Sequence, residues 1–151
     1  MESNLSVVDI AFYILRRCAE IVDPEGEMDF IFDVTRRLVD ETAVALARKL
    51  KTHPLWVEDL LATIGMIRSS GFEGWMEKEA IEKIKNEGLD KLIDETIEEV
   101  KEKVYEKTEI LLRVLANVDG YSTGDVIVLP FSEAVKLKEK GQGRLLRVLS
   151  K

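Results

Sequence analysis

The residues that could do chemistry in this chain are few. Cys18 is the only cysteine and His53 the only histidine, so no intramolecular disulfide and no Cys/His zinc cluster can form. Cys18 falls among apolar residues at helical spacing, the setting of a buried, unreactive thiol. His53 directly precedes Pro54, where an imidazole can cap a helix. Nothing in the spacing brings the two together or supplies a third group to orient a base, so nucleophilic catalysis has no framework. Acidic clusters are the next candidates, because helical enzymes that cleave nucleotide pyrophosphates hold Mg²⁺ between carboxylates of adjacent helices. That chemistry needs two acids three residues apart on one helix and a matching pair on the next. Asp40 and Glu41 are adjacent, with alanine three residues after Asp40, and Glu58-Asp59 is likewise a neighbouring pair. Glu98, Glu99 and Glu102 are interleaved with Lys101, Lys103 and Lys107, the pattern of a solvated helix face. A Mg²⁺-dependent pyrophosphohydrolase is therefore the alternative reading, requiring Asp40, Glu41, Glu58 and Asp59 to converge. The expected cofactor set is empty, with no metal ligands. Gly71-Phe-Glu-Gly74 and Gly141-Gln-Gly143 match neither a phosphate loop nor a dinucleotide fingerprint.

The remaining candidates are basic and lie near the C-terminus: Lys136, Lys138, Lys140, Arg144, Arg147 and Lys151. They read either as a solvated face or as a contact for an acidic partner or nucleic acid. No aromatic stripe accompanies them, so stacking of a single strand is not indicated. The net charge of −7 argues against a general nucleic-acid coat. That charge is unevenly spread: residues 119–151 carry six basic and four acidic side chains, a balance of +2, which leaves −9 for residues 1–118.

The elements that must position these residues follow from periodicity. With 151 residues, 46% hydrophobic and 34% charged, the chain has enough apolar material for one folded unit plus a small appendage. Val7, Val8, Ala11, Ile14, Leu15, Cys18 and Val22 recur at intervals of three and four, one stripe of a helix that Ser6 or Asn4 caps and Pro24 and Gly26 stop. A second helix is expected over 28–51, with Ile31, Val34, Leu38, Ala45, Leu46 and Leu50 inward. A third opens at Pro54 and runs through Trp56, Leu60, Leu61, Ile64 and Ile67. Phe72 and Trp75 are expected to pin a loop to the core before a short charged helix over 77–86. A long helix follows over 89–108, whose apolar residues near heptad spacing invite oligomerisation. Arg37–Thr42 echoes Lys91–Thr96, but the surrounding residues do not align and no repeat architecture follows.

From Ile110 the pattern changes. β-branched and apolar residues within 110–118 and 125–130 flank the cluster Asp119-Gly-Tyr-Ser-Thr-Gly124 and predict two strands joined by a tight connection, with 126–129 of the second filling the core of its module. A short helix over 133–139 is ended by Lys140-Gly141, and 144–149 reads as a third strand. The expected fold is mainly α: a helical bundle over residues 1–109 and a small β-rich module over 110–151. The N-terminus carries no secretory pattern, and the longest apolar runs fall well short of the ~20 residues of a membrane span, so the expectation is cytoplasmic with no membrane contact.

The module resembles the small C-terminal β module of archaeal GINS subunits. The residues that carry the resemblance are Leu112-Arg-Val-Leu-Ala-Asn-Val118, then Asp119-Gly-Tyr121, then Gly124-Asp-Val-Ile-Val-Leu-Pro130, then Ala134, Leu137 and Lys140-Gly141. It covers under a third of the chain and departs from the family pattern at Gly143, where alanine is expected. The resemblance implies a non-catalytic scaffold of the replicative helicase complex, whose helices pack against sister subunits in a homo- or hetero-oligomer. Its β module would meet the helicase, a RecJ-like factor or a polymerase subunit. The partner-binding residues expected on this reading are Tyr121, Lys136, Lys138, Lys140, Arg144 and Arg147, with direct DNA contact as a further possibility. A third reading is an archaeal or viral protein-interaction module of another system.

Overall fold

In the computed structural model, which describes residues 7–25, 32–50, 54–70 and 74–149, five helices are followed by a three-stranded antiparallel sheet with one further helix. The helices are α1 (Val7–Val22), α2 (Phe32–Leu50), α3 (Pro54–Ser70), α4 (Gly74–Asn86) and α5 (Leu89–Lys107). Then come β1 (Glu109–Val114), β2 (Val126–Pro130), α6 (Phe131–Glu139) and β3 (Gly143–Val148). The fold is therefore mainly α with a small C-terminal β module, as the periodicity indicates. The proposed caps Asn4 and Ser6, the stop at Gly26, and Ile31, His53 and Phe72 lie outside the described residues or side chains.

α1 is the hub. Its residues Ile10, Ala11, Ile14 and Cys18 are buried, and it packs against α2, α3, α4 and α5. α2 contributes Val34, Leu38, Val39, Ala43 and Leu46, and α3 contributes Leu60 and Ile64. α2 and α5 run antiparallel: Arg37, near the start of α2, donates to Thr108 Oγ1 at 3.1 Å, whereas Lys49, near its end, pairs with Glu99 at 2.7 Å. α5 spends its apolar stripe internally. Ile93, Ile97 and Val104 are buried in the chain's own core, while Glu98 and Lys101 pair at 3.1 Å on the outside.

Two expectations about the bundle change. Trp75 does not pin a loop; it sits in the first turn of α4 and is 63% exposed. Leu50 is the last residue of α2 and is exposed, three residues past Ala47, the last buried position of its stripe.

At the end of α5, Thr108 turns extended (φ −99°, ψ 114°) and leads straight into β1. It is fully buried; its hydroxyl donates to the Val104 carbonyl at 2.7 Å and its own carbonyl accepts the Phe131 N–H at 2.7 Å. Phe131 is fully buried and meets the Tyr105 ring edge-on, centroids 4.7 Å apart at 84°. One continuous group of buried side chains thus runs from α1 through α5 into Ile110, Leu112, Phe131, Ala134 and Leu145.

The sheet order is β2-β1-β3. β1 and β2 pair from Glu109↔Pro130 to Arg113↔Val126. Their connection is built by local hydrogen bonds. Asp119 and Gly120 both take positive φ (44° and 85°), a tight turn across which Val118 and Tyr121 exchange backbone bonds of 3.2 and 2.7 Å. Gly124 (φ 96°) and Asp125 both oppose Val114, a bulge that needs glycine at its first position. α6 ends on Gly141 (φ 71°), with Gly141 N–H to Lys138 O at 3.0 Å and Gln142 N–H to Leu137 O at 2.9 Å, the paired bonds of a glycine-terminated helix.

Candidate functional site

Strand alternation gives the sheet two different faces. On the inner face Ile110, Leu112, Val114 and Leu145 are buried with Ile127 and Leu129 beside them, covered by Phe131 and Ala134 of α6. On the outer face, register places two rows side by side: Val126–Arg113–Arg144 and Val128–Leu111–Arg147. Arg113, Arg144 and Arg147 are exposed, and Val126 and Val128 are 47% and 46% exposed. The run 126–129 therefore does not simply fill the core; its alternate valines face out.

The third strand departs from simple pairing. Leu112 pairs with Leu145, but Leu111 pairs with Arg147, so Leu146 is the extra residue of a bulge. Three positions separate Arg144 from Arg147, an odd number that would put them on opposite faces of a regular strand. The bulge restores Arg147 to the outer face, beside Arg144.

Of the expected partner-binding residues, Arg144 and Arg147 share this outer face. Lys136, Lys138 and Lys140 belong to α6 and its C-terminal cap, on the other side of the sheet. Tyr121 is exposed in the β1–β2 turn, beyond the end of the paired strands. Lys151 lies outside the described residues. The basic tail is thus two separate groups. Sequence reasoning missed Arg113, whose signal was present in the alternation Leu112-Arg113-Val114; it also missed the two exposed valines. Among the described residues, Arg113, Arg144 and Arg147 make no ion pair.

The other candidates resolve differently. Asp40 lies 3.8 Å from Arg68, and among the described residues no three Asp, Glu, His or Cys side chains, Asp40, Glu41, Glu58 and Asp59 included, gather to hold a metal ion. Cys18 is buried, and burial pushes its thiol up to about 12, far from the pKa of a reactive thiolate. Gly141 and Gly143 serve the helix stop and the entry to β3. A cleft of about 350 Å³ between α2 and α5 has a floor of Val44, Ala45, Val100 and Val104 and a rim of both signs: Arg37, Arg48, Lys103, Lys107, Glu41 and Glu99. On the α1 side, Tyr13 and Arg17 both donate to Asp94 Oδ1 at 3.0 Å, and Arg16 bridges Glu20 at 3.0 Å and Glu77 at 2.7 Å, a network that ties α1 to α4 and α5.

Comparison with family models, with curated proteins and with solved structures gives no match. No helix among the described residues is long and apolar enough to cross a membrane. What distinguishes this surface is therefore its own chemistry. Three cations that make no ion pair among the described residues stand next to exposed aliphatic side chains, on a sheet backed by a packed helix, with Glu109 opposite Pro130 one row beyond Leu111. Such a face offers apolar contact area and guanidinium donors for charge-assisted hydrogen bonds.

Proposed function

We propose that this chain is a non-catalytic scaffold subunit of a DNA-replication assembly, resembling a GINS subunit, that helps couple a replicative helicase to partner factors. The observation that carries the reading is the outer face of the β module: aliphatic and cationic side chains displayed together on a backed sheet. An exposed apolar patch rimmed by polar groups is the signature of an interaction site. The segments that resemble the GINS module coincide with β1, the turn, β2, α6 and its glycine stop, which supports the same reading. The absence of an assembled carboxylate set among the described residues favours it over the pyrophosphohydrolase.

The test is affinity purification of the tagged full chain from its native host, followed by mass spectrometry and sedimentation. The expected result is co-purification of sister subunits with the helicase or a RecJ-like factor, in a complex heavier than the chain alone. Recovery of a lone monomer overturns the reading. Recovery of partners unrelated to replication assigns the chain to another interaction system.

A further inference from the structure

The sheet is a layered structure with one layer missing. α6 covers its inner face, while among the described residues no element covers the outer one. We propose that the outer face is the docking site for an acidic amphipathic helix of a partner protein, with aliphatic side chains over Val126, Val128 and Leu111 and carboxylates over Arg113, Arg144 and Arg147. This rests on the scaffold reading above and names the surface and the kind of partner it uses.

Geometry and charge select that occupant. Strands lie about 4.8 Å apart, so the valine column on β2 and the arginine column on β3 are separated by about 10 Å. A helix with side chains is about 10–12 Å across and reaches both columns at once when laid along the strands. Arg113 stands directly opposite Arg144, and like charges directly opposite destabilise a sheet. A carboxylate received between the two removes that cost and gains charge-assisted, two-pronged hydrogen bonds. The valines gain by leaving water.

The same facts set other occupants aside. Two copies docking through this face would bring six arginines together. The long acidic helix α5 cannot serve as the ligand of a second copy, because Ile93, Ile97 and Val104 are buried in its own core. A nucleic acid would satisfy the arginines and leave Val126 and Val128 against phosphate, on a chain of net charge −7. Pairing of a second copy along the free edge of β2, where Val126 and Val128 direct their backbone N–H and C=O groups, would use a short edge that ends in Pro130, which has no N–H to give.

The experiment uses the full chain and two fluorescein-labelled synthetic peptides, each with leucines at intervals of three and four and flanked by glutamates in one and lysines in the other. Fluorescence anisotropy reads their binding, with circular dichroism confirming that each protein variant is folded. The wild-type chain is expected to bind the glutamate peptide at least about tenfold more tightly than the lysine peptide, a gap of about 1.4 kcal/mol. The triple variant R113E/R144E/R147E is expected to reverse that preference, and V126S/V128S to weaken both peptides while keeping it. Equal binding of the two peptides overturns the proposal, as does glutamate-peptide binding that the triple variant leaves intact. Binding of a single-stranded oligodeoxynucleotide that the arginine changes abolish, without a charge preference among peptides, assigns the face to nucleic acid instead. Self-association lost in Val128→Asp assigns it to a second copy. Charge-selective peptide binding without any replication partner in the purification sinks the scaffold reading alone; retention of those partners by the triple variant sinks this face alone.

Discussion

Arg113 and Arg144 occupy directly opposed positions on β1 and β3, and no carboxylate among the described residues reaches either. A free sheet gains nothing from this arrangement, since opposed like charges cost a few tenths of a kcal/mol or more. The proposed docking accounts for that cost, because a carboxylate received between the two guanidinium groups removes it.

Reversing one charge should therefore stabilise the free protein. Arg113→Glu places a carboxylate opposite Arg144 and next to exposed Val126, and converts repulsion into a cross-strand ion pair. The expected gain is about 0.5 kcal/mol, read as an upward shift of the urea midpoint with an unchanged slope, and screened by added salt. The same variant should lose affinity for the glutamate peptide. A gain in stability together with a loss of binding separates the two roles of the residue.

Gly143 departs from the alanine that the GINS-like pattern leads one to expect, and Leu112 explains the departure. A β-carbon at position 143 would lie 2.8 Å from Leu112 Cδ1 and 3.2 Å from Cδ2 and Cγ, and Leu112 is fully buried. Gly143→Ala is thus expected to overpack the inner face and cost about 1–2 kcal/mol. Leu112→Val should make room, so that the double variant is more stable than the sum of the single effects. The coupling energy from thermal or urea melts of the four proteins checks this, and additivity would rule the contact out.

Much of this architecture was legible because periodicity reports burial. The stripe through Ile14 and Cys18, the long helix expected over 89–108, which ends at Lys107, and the strand–turn–strand–helix–strand order could all be read from spacing and from Asp119-Gly120, Gly124 and Gly141. What escaped depends on tertiary partners. Trp75 reads as a core anchor by residue type, yet α4 turns it outward and buries Ala80 and Ile84 instead. The apolar run 126–129 reads as a fully buried strand because a run without alternation carries no face information. The outer arginine cluster was only half visible: Arg144 and Arg147 were found by charge, but their common face depends on a bulge at Leu146 that no residue type announces. Arg113 was hidden in another strand, brought to Arg144 only by β1–β3 register.

Alkaline pH should unfold the protein earlier than its charge alone would. Burial holds the Cys18 thiol up to about 12; burial, then the Asp94 carboxylate, raises the Tyr13 phenol, and burial raises Tyr105. In the unfolded chain these groups lose protons from about pH 8.5 for the thiol and about pH 10 for the phenols. The folded state then binds more protons than the unfolded one, so stability is complete below those values and is lost as pH rises through them. Melting temperature is expected to be level near neutrality and to fall by several degrees between about pH 9 and 11, a loss of roughly 2–4 °C for each kcal/mol in a chain of this size. Tyr13→Phe should flatten the fall above about pH 10, although it costs about 1 kcal/mol at neutral pH through the lost bond to Asp94. A melting profile that stays level to about pH 11 would contradict the burial of these groups.

Phe131 decides whether bundle and sheet unfold together. It is the first residue of α6, its N–H is bonded to Thr108 at the end of α5, and its ring is fully buried against the edge of Tyr105. Through it the buried side chains of the bundle continue into the sheet without a break. Helical circular dichroism and the fluorescence of Trp56 and Trp75, which report on the bundle, should therefore change at the same urea concentration as the hydrogen-exchange protection of β1 and β3. Phe131→Ala removes a large buried ring at the junction, with an expected cost of about 3–5 kcal/mol. The loss should fall first on the sheet, whose inner face rests on α6, whereas α1, α2 and α3 keep Ile14, Leu38, Leu46 and Leu60 packed on one another. Amide exchange in β1 and β3 would then speed up at urea concentrations where the helices remain protected. If the variant instead keeps one coincident transition at a lower midpoint, the sheet has no stability apart from the bundle, and its outer face is presented only while the helices are folded.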